Sequence, residues 1–226
     1  MNKSEIVFHR HTRLADWDYR QCYAYFVTIC VRGRKCIFGD VVEDEMRLTR
    51  RGIVARDCWI DIPNHHKHVE LDTFVIMPNH VHGILLFTGD APGFSAVEAT
   101  PASRRGEAAS LSRLARGPLS GSLSAVIGSY KSAVARTINR LHSGAGSNLW
   151  QPNYYDHIVR NDYARDKIRD YIDDNPNRWA RDRENPDGDG TDDVASFIDA
   201  LTRTSPLRGE RDVGVASTEN AGNRDG

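Results

Sequence analysis

VELDTFVIMPNHVHGILLF, residues Val69 to Phe87, decides the fold. Val69 to Met77 alternates apolar and polar positions, Pro78-Asn79-His80 breaks the run, and Val81 to Phe87 resumes it, which reads as an antiparallel hairpin. Side chains two apart on a strand point the same way, so His80 and His82 project together while Val81 faces the core. Two imidazoles one strand repeat apart can chelate a metal. They can equally be two surface histidines, and HxH alone does not choose.

Working outward, Tyr23 to Val31 (YAYFVTICV) is aromatic and β-branched and ends at an RGRK turn, as a buried strand does. Leu48 to Ile62 offers Thr49 as an N-cap, with Ile53, Ala55, Cys58, Trp59 and Ile62 near helical spacing until Pro63. Beyond the hairpin, residues 88–121 turn to Gly, Pro, Ser, Ala and Arg and are expected to be a disordered insertion. Helical spacing returns over Ser122 to Leu141 through Val126, Tyr130, Val134 and Ile138. In LWQPNYYDHIVR, Tyr155, His157 and Val159 alternate as a strand or extended arm, after which Asn161 or Asp162 caps a helix that ends before Pro176. The order strand, helix, hairpin, helix, strand, helix predicts an α+β fold: a ferredoxin-like, split βαβ antiparallel sheet with helices on one face. One domain is expected over residues 1–182, with an acidic, disordered tail over 183–226.

The 226 residues are 39% hydrophobic and 27% charged, and no apolar run is long enough to span a bilayer. The first residues, MNKSEIVFHRHTRL, have no secretory pattern, so a cytoplasmic location is expected, with Cys22, Cys30, Cys36 and Cys58 as reduced structural thiols. The net charge of −1 hides an asymmetry: from Arg183 onward there are ten acidic residues against five arginines, which leaves the preceding body at +4. A weakly basic body permits a nucleic-acid partner without demanding one.

No Asp follows His82 at the spacing of the HxHxDH metallo-hydrolases, and the NHHKH group (His65, His66, His68) has no carboxylate at ligand spacing. Four residues separate Tyr171 from Asn175, which puts both on one helix face. That geometry suits a shared site: a phenol, with its ordinary pKa near 10, becomes a nucleophile only beside a stabilising cation or base. It also suits a core tyrosine and a helix-ending asparagine. Tyr154 and Tyr155 are competing tyrosines without an amide partner at that spacing. Arg32, Arg34 and Lys35 are candidate phosphate contacts, and Trp150, Gln151, Tyr155, His157 and Arg160 candidate stacking and phosphate contacts should the partner be a nucleic acid, with Trp150 and Tyr155 equally readable as core aromatics.

Three segments together, MPNHVHGILL (Met77 to Leu86), LWQPNYYDHIVRN (Leu149 to Asn161) and RDYIDDNPNRW (Arg169 to Trp179), resemble the signature blocks of the REP-associated tyrosine transposases. These form an insertion-sequence, single-tyrosine branch of the HUH nucleases. The resemblance covers about residues 9 to 87 and 122 to 180. It implies an HUH-type fold, with His80 and His82 as metal ligands, Asn175 as a third, and Tyr171 as nucleophile. It further implies Mg²⁺ or Mn²⁺ as cofactor, and cleavage and rejoining of single-stranded DNA at hairpin or palindromic repeats through a 5′-phosphotyrosine, by a monomer or homodimer. A catalytically silent nucleic-acid-binding module of the same fold is the alternative, and a small-phosphoester hydrolase a third. The insertion and the acidic tail depart from compact family members.

Overall fold

The computed structural model describes residues 17–89, 118–141 and 148–204. Its elements in chain order begin with strands β1 (Ala24–Cys30), β2 (Gly39–Val42) and β3 (Glu45–Leu48) and helices α1 (Arg50–Ile60) and α2 (Ile62–His65). Strands β4 (Val69–Ile76) and β5 (His80–Phe87), helix α3 (Leu123–Leu141) and strand β6 (Tyr155–Val159) follow. Helices α4 (Asp162–Asp173), α5 (Asn175–Arg178) and α6 (Val194–Thr204) complete the order. Among the described residues, no helix is long and apolar enough to cross a membrane.

The main sheet runs β4-β5-β1-β6, antiparallel throughout. This is the ferredoxin-like order: the hairpin's second strand inserts beside β1, and each βαβ crossover skips one strand. The crossover helices α1 and α3 share a face, where Tyr25, Val27, Ile29, Ala55, Trp59, Val81, Leu85, Val126, Tyr130 and Val134 form one core. The other face is also covered. Phe26, Ile84, Tyr155 and Val159 meet Ile168, Tyr171 and Ile172 of α4 and Val194, Ile198 and Leu201 of α6. The expectation of helices on one face therefore holds for the crossover pair, and α4 and α6 add a third layer. A sheet covered on both sides favours apolar residues on both faces of its central strands, which explains YAYFVTICV, where Thr28 alone breaks the run of apolar and aromatic residues.

The tail expectation needs correction. Residues 183–204 include an ordered helix whose apolar stripe seals the second face; acidic composition hid Val194, Ile198 and Leu201 at helical spacing. The disorder expected for the insertion falls on residues that, between 90 and 117, lie outside the described ones, as do 205–226.

Local signals explain several boundaries. Thr49 caps α1 by accepting from Gly52 N, and Asn161 caps α4 by accepting from Ala164 N at 2.7 Å. Pro63 and Pro176 do not simply end helices: each sits in the first turn of the next short helix, where its missing N–H costs nothing. Between Leu71 and Phe74 the β4 pairing slips by one residue, a bulge that places Val75 opposite His82 and Phe74 opposite Gly83. Phe74 stacks on Trp59, whose ring lies against Gly83 so closely that a Cβ there would sit 2.4 Å from it. His68, buried, accepts from Thr88 N through its carbonyl at 2.8 Å and donates from Nε2 to Gly121 O at 3.1 Å, so it holds both ends of the segment between β5 and α3.

Candidate active site

His80 and His82 open β5 on the face covered by α4, while Val81 points into the opposite core. Both imidazoles are buried, and their Nε2 atoms face one another at 3.0 Å. Their outer nitrogens are held from behind. Asn79 gives its amide protons to Arg34 O (3.1 Å) and Glu184 O (2.7 Å), which leaves its Oδ1 to accept from His80 Nδ1 at 2.9 Å. His80 therefore carries its proton on Nδ1 and presents a bare lone pair on Nε2. Thr28 lies directly opposite His82 on β1, and its hydroxyl bonds His82 Nδ1 at 2.8 Å. A hydroxyl can donate or accept, so His82 can hold its proton on Nε2 toward His80 or move it to Nδ1 and free Nε2.

Burial depresses both histidines: His80 falls to about 4, partly offset by the Glu184 charge and Asn175, and His82 goes well below its ordinary value, pushed further by His80. Neutral imidazoles are the ligand form. Nitrogens at cis positions about 2.1 Å from one ion stand ~3.0 Å apart, so the pair is spaced for chelation.

Two oxygen donors approach the pair. Asp182 Oδ2 lies 3.6 Å from His80 Nε2, and His80, His82 and Asp182 offer ligand atoms within 4.8 Å of one another. Burial raises the Asp182 carboxyl to about 6, with Asp192 adding to the effect and the Glu184 backbone N–H opposing it. Asn175, also buried, is coupled to both His80 and Tyr171, yet its Oδ1 has no well-directed donor, an orphaned acceptor beside the facing imidazoles. The residues present thus fit a divalent ion bound by two nitrogens and one or two oxygens.

Tyr171 reaches down from α4. Its ring packs edge-on to His82 with centroids 5.6 Å apart and stacks on Phe197 of α6 at 4.5 Å, while the Arg178 guanidinium lies 5.3 Å from its centre. Burial lifts the phenol well above its usual range, the Asp192 and Asp182 charges lift it further, and Asn175 and Arg178 pull it back. Only 4% of Tyr171 is exposed, and the cleft beside it, lined by Thr28, His82, Asp182, Asp192 and Val194, has room for about one water.

The sequence candidates thus fall into three groups. His80, His82, Tyr171 and Asn175 are brought together. Arg32, Arg34 and Lys35 lie at the same end of the sheet, in the 3₁₀ turn after β1; Arg32 and Lys35 are exposed and Arg34 pairs with Glu184 at 3.3 Å. Gln151 is also at this end, its main chain bound to Cys30 O and Lys131 Nζ. His157 is half-buried opposite Phe26, and Arg160 is exposed near the far end of β6.

Trp150 and Tyr155 do not suit base stacking. Trp150 is 5% exposed with Nε1 donating to Lys131 O, and Tyr155 is 2% exposed against Phe26, so both are core aromatics. Sequence reasoning missed Thr28, Asn79, Asp182 and Phe197. Asn79 adjoins the histidine pair, and strand pairing would have brought Thr28 to it; Asp182 closes the expected domain with no periodic pattern around it, and Phe197 lay in the segment read as tail. The NHHKH group is structural: His65 pairs with Asp61, and His68 has the stapling role above.

Comparison with known proteins adds a relative. An uncharacterized protein of Haemophilus influenzae is 31% identical over 178 residues, spanning 78% of this chain and 93% of its own length. The chain belongs to the same family as that protein. Two solved structures are also similar. A REP-associated tyrosine transposase bound to a REP hairpin aligns at 19% identity and a TM-score of 0.46, covering 71% of this chain and 70% of its own. A proposed transposase of Deinococcus radiodurans aligns at 21% identity and a TM-score of 0.32, covering 66% of this chain and 88% of its own. No family model matches. Overlaps of this size leave the role of each residue to the geometry of the site.

Proposed function

We propose that this chain is a metal-dependent, single-tyrosine DNA transposase that cleaves and rejoins single-stranded DNA at hairpin-bearing repeat ends. The observation that carries this reading is the placement of Tyr171 against His82, beside two facing imidazole nitrogens 3.0 Å apart. Support comes also from the three sequence blocks that resemble REP-associated tyrosine transposases, since each contributes residues to this end of the sheet: His80 and His82, Gln151, and Tyr171 with Asn175.

In this reading, His80 and His82, with Asn175 or Asp182 as oxygen donor, would hold Mg²⁺ or Mn²⁺. A divalent ion there supplies positive charge against the oxygens of the scissile phosphate. Tyr171 Oη attacks phosphorus in line and releases its proton to water, the bond to the 3′-oxygen breaks and that oxygen takes up a proton from water, and the products are a 5′-phosphotyrosine and a free 3′-OH. Because the ester conserves the bond energy, attack by another 3′-OH rejoins strands and restores the tyrosine. Arg178 over the ring favours the phenolate form that burial otherwise resists. Arg32 and Lys35 at the rim suit the approaching phosphate backbone.

The test is incubation of purified protein and Mn²⁺ with labelled hairpin single strands. A covalent adduct with wild type that disappears in Tyr171→Phe is expected; an adduct that persists in the variant would reject the assignment.

One observation favours a second reading, a catalytically silent DNA-binding module: Phe197 and Asp182 close over the tyrosine and histidines. That reading predicts hairpin binding without cleavage under any divalent ion, unchanged in His80→Ala.

A further inference from the structure

The proposed chemistry makes no use of Asp72 and Arg169, yet they tie the tyrosine helix to the sheet. Asp72 lies in the β4 bulge, where it and Thr73 share the place opposite Ile84. Thr73 N donates to Asp72 Oδ1 at 2.7 Å, which fixes the carboxylate in a side chain only 8% exposed. Arg169 of α4 meets it with two parallel bonds, Nε to Oδ1 at 2.9 Å and Nη2 to Oδ2 at 2.7 Å, while Nη1 reaches Asp166 at 3.0 Å. A planar fork on a carboxylate fixes direction as well as distance.

The lever is short. Arg169 precedes Tyr171 by two residues, on the flank of α4 that borders β4. Turning a helix by about 15° moves a side-chain tip ~6 Å from its axis by roughly 1.5 Å, and a misplacement of about 1 Å can cost on the order of 10²-fold in rate. The apolar contacts of Ile168 and Ile172 resist lifting of α4 but are poorly suited to resist such a turn, because they carry no directional bond. We infer that Asp72 and Arg169 form a positioning clamp that sets the rotation of α4 and so the placement of Tyr171 over His82. The inference rests on the reading of Tyr171 as nucleophile. It makes the β4 edge of the sheet part of the site, since Asp72 meets α4 just where the one-residue slip begins.

The variants are Asp72→Asn, Arg169→Gln and Arg169→Lys; the last keeps the charge and loses the fork. Single-turnover adduct formation with a labelled hairpin strand in Mn²⁺ is compared with binding of the same strand. Expected is a loss of about 10- to 100-fold in rate with affinity within about twofold, and Arg169→Lys as slow as Arg169→Gln. Wild-type rates in both Arg169 variants, or affinity falling in proportion to rate, would overturn the clamp. A second measurement needs no activity. In protein labelled with 3-fluorotyrosine, the ¹⁹F resonance of Tyr171, assigned by its loss in Tyr171→Phe, reports the ring currents of Phe197 and His82. It should move or broaden in Asp72→Asn and Arg169→Lys without loss of the cooperative thermal transition; an unmoved resonance overturns the clamp. If wild type forms no adduct, the nucleophile reading fails, and the fluorine resonance still decides whether the clamp places the ring.

Discussion

With its amide protons committed to two main-chain carbonyls, Asn79 has only an acceptor left for His80, and His80 is thereby held in the tautomer that presents Nε2. Thr28 holds His82 from the opposite strand. Neither residue would itself touch an ion. Asn79→Leu and Thr28→Val should nevertheless weaken Mn²⁺ binding by about 10- to 100-fold, measured by titration calorimetry; unchanged affinity in both would dissociate these bonds from metal binding. Acidity acts on the same residues with opposite signs. His80 titrates at about 4 in the fold, below its free value, so the unfolded chain binds more protons between about 4 and 6.5 and stability is lost as pH falls through that window. Asp182, raised to about 6, binds its proton more tightly in the fold and opposes that loss between about 3.8 and 6. Metal-free Asp182→Asn should therefore lose thermal stability more steeply than wild type between pH 6 and about 4.5. Thermal melts across that range, without metal, check the sign.

Element by element, the sequence was most readable where one physical rule acted alone. The hairpin of β4 and β5 declared itself by alternation around Pro78, and α1 and α4 by Thr49 and Asn161 as caps. The second hairpin did not. Glu43 and Asp44 turn β2 into β3 with φ of 53° and 61°, the left-handed geometry that Asn-Gly usually marks, and the sequence VVEDEM lacks that mark. The β4 bulge was equally silent, because a slip of one residue is decided by what packs across the sheet. Trp59 against Gly83 is part of that decision. Gly83→Ala should destabilise the protein by about 1–3 kcal/mol through overpacking, read from urea unfolding, and loss of no more than a few tenths would show that the indole shifts freely.

At the scale of the molecule, the histidine pair and the tyrosine were legible because each lies on a regular element with fixed periodicity, and Asn175 because Asp174 keeps a helical backbone between α4 and α5. Asp182 and Phe197 were not, because their place depends on a segment whose acidic surface obscured a three-residue apolar stripe. That segment shields Tyr171. In Phe197→Ala the phenol should become accessible, so that tetranitromethane nitrates Tyr171 faster than in wild type, as peptide mass mapping would show; equal rates would mean that Phe197 is not what covers the ring.

His68 grips both Thr88 and Gly121, so these two positions are held side by side at one shared doorway. That doorway stands seven residues along β5 from His80, about 23 Å away at the usual rise of a strand. Replacement of residues 90–117 by a short Gly-Ser bridge should leave the melting temperature within a few degrees of wild type, whereas His68→Ala should lower it. The same doorway is a natural port for cargo: a reporter domain or an affinity tag grafted there would ride a strand's length from the histidines and tyrosine.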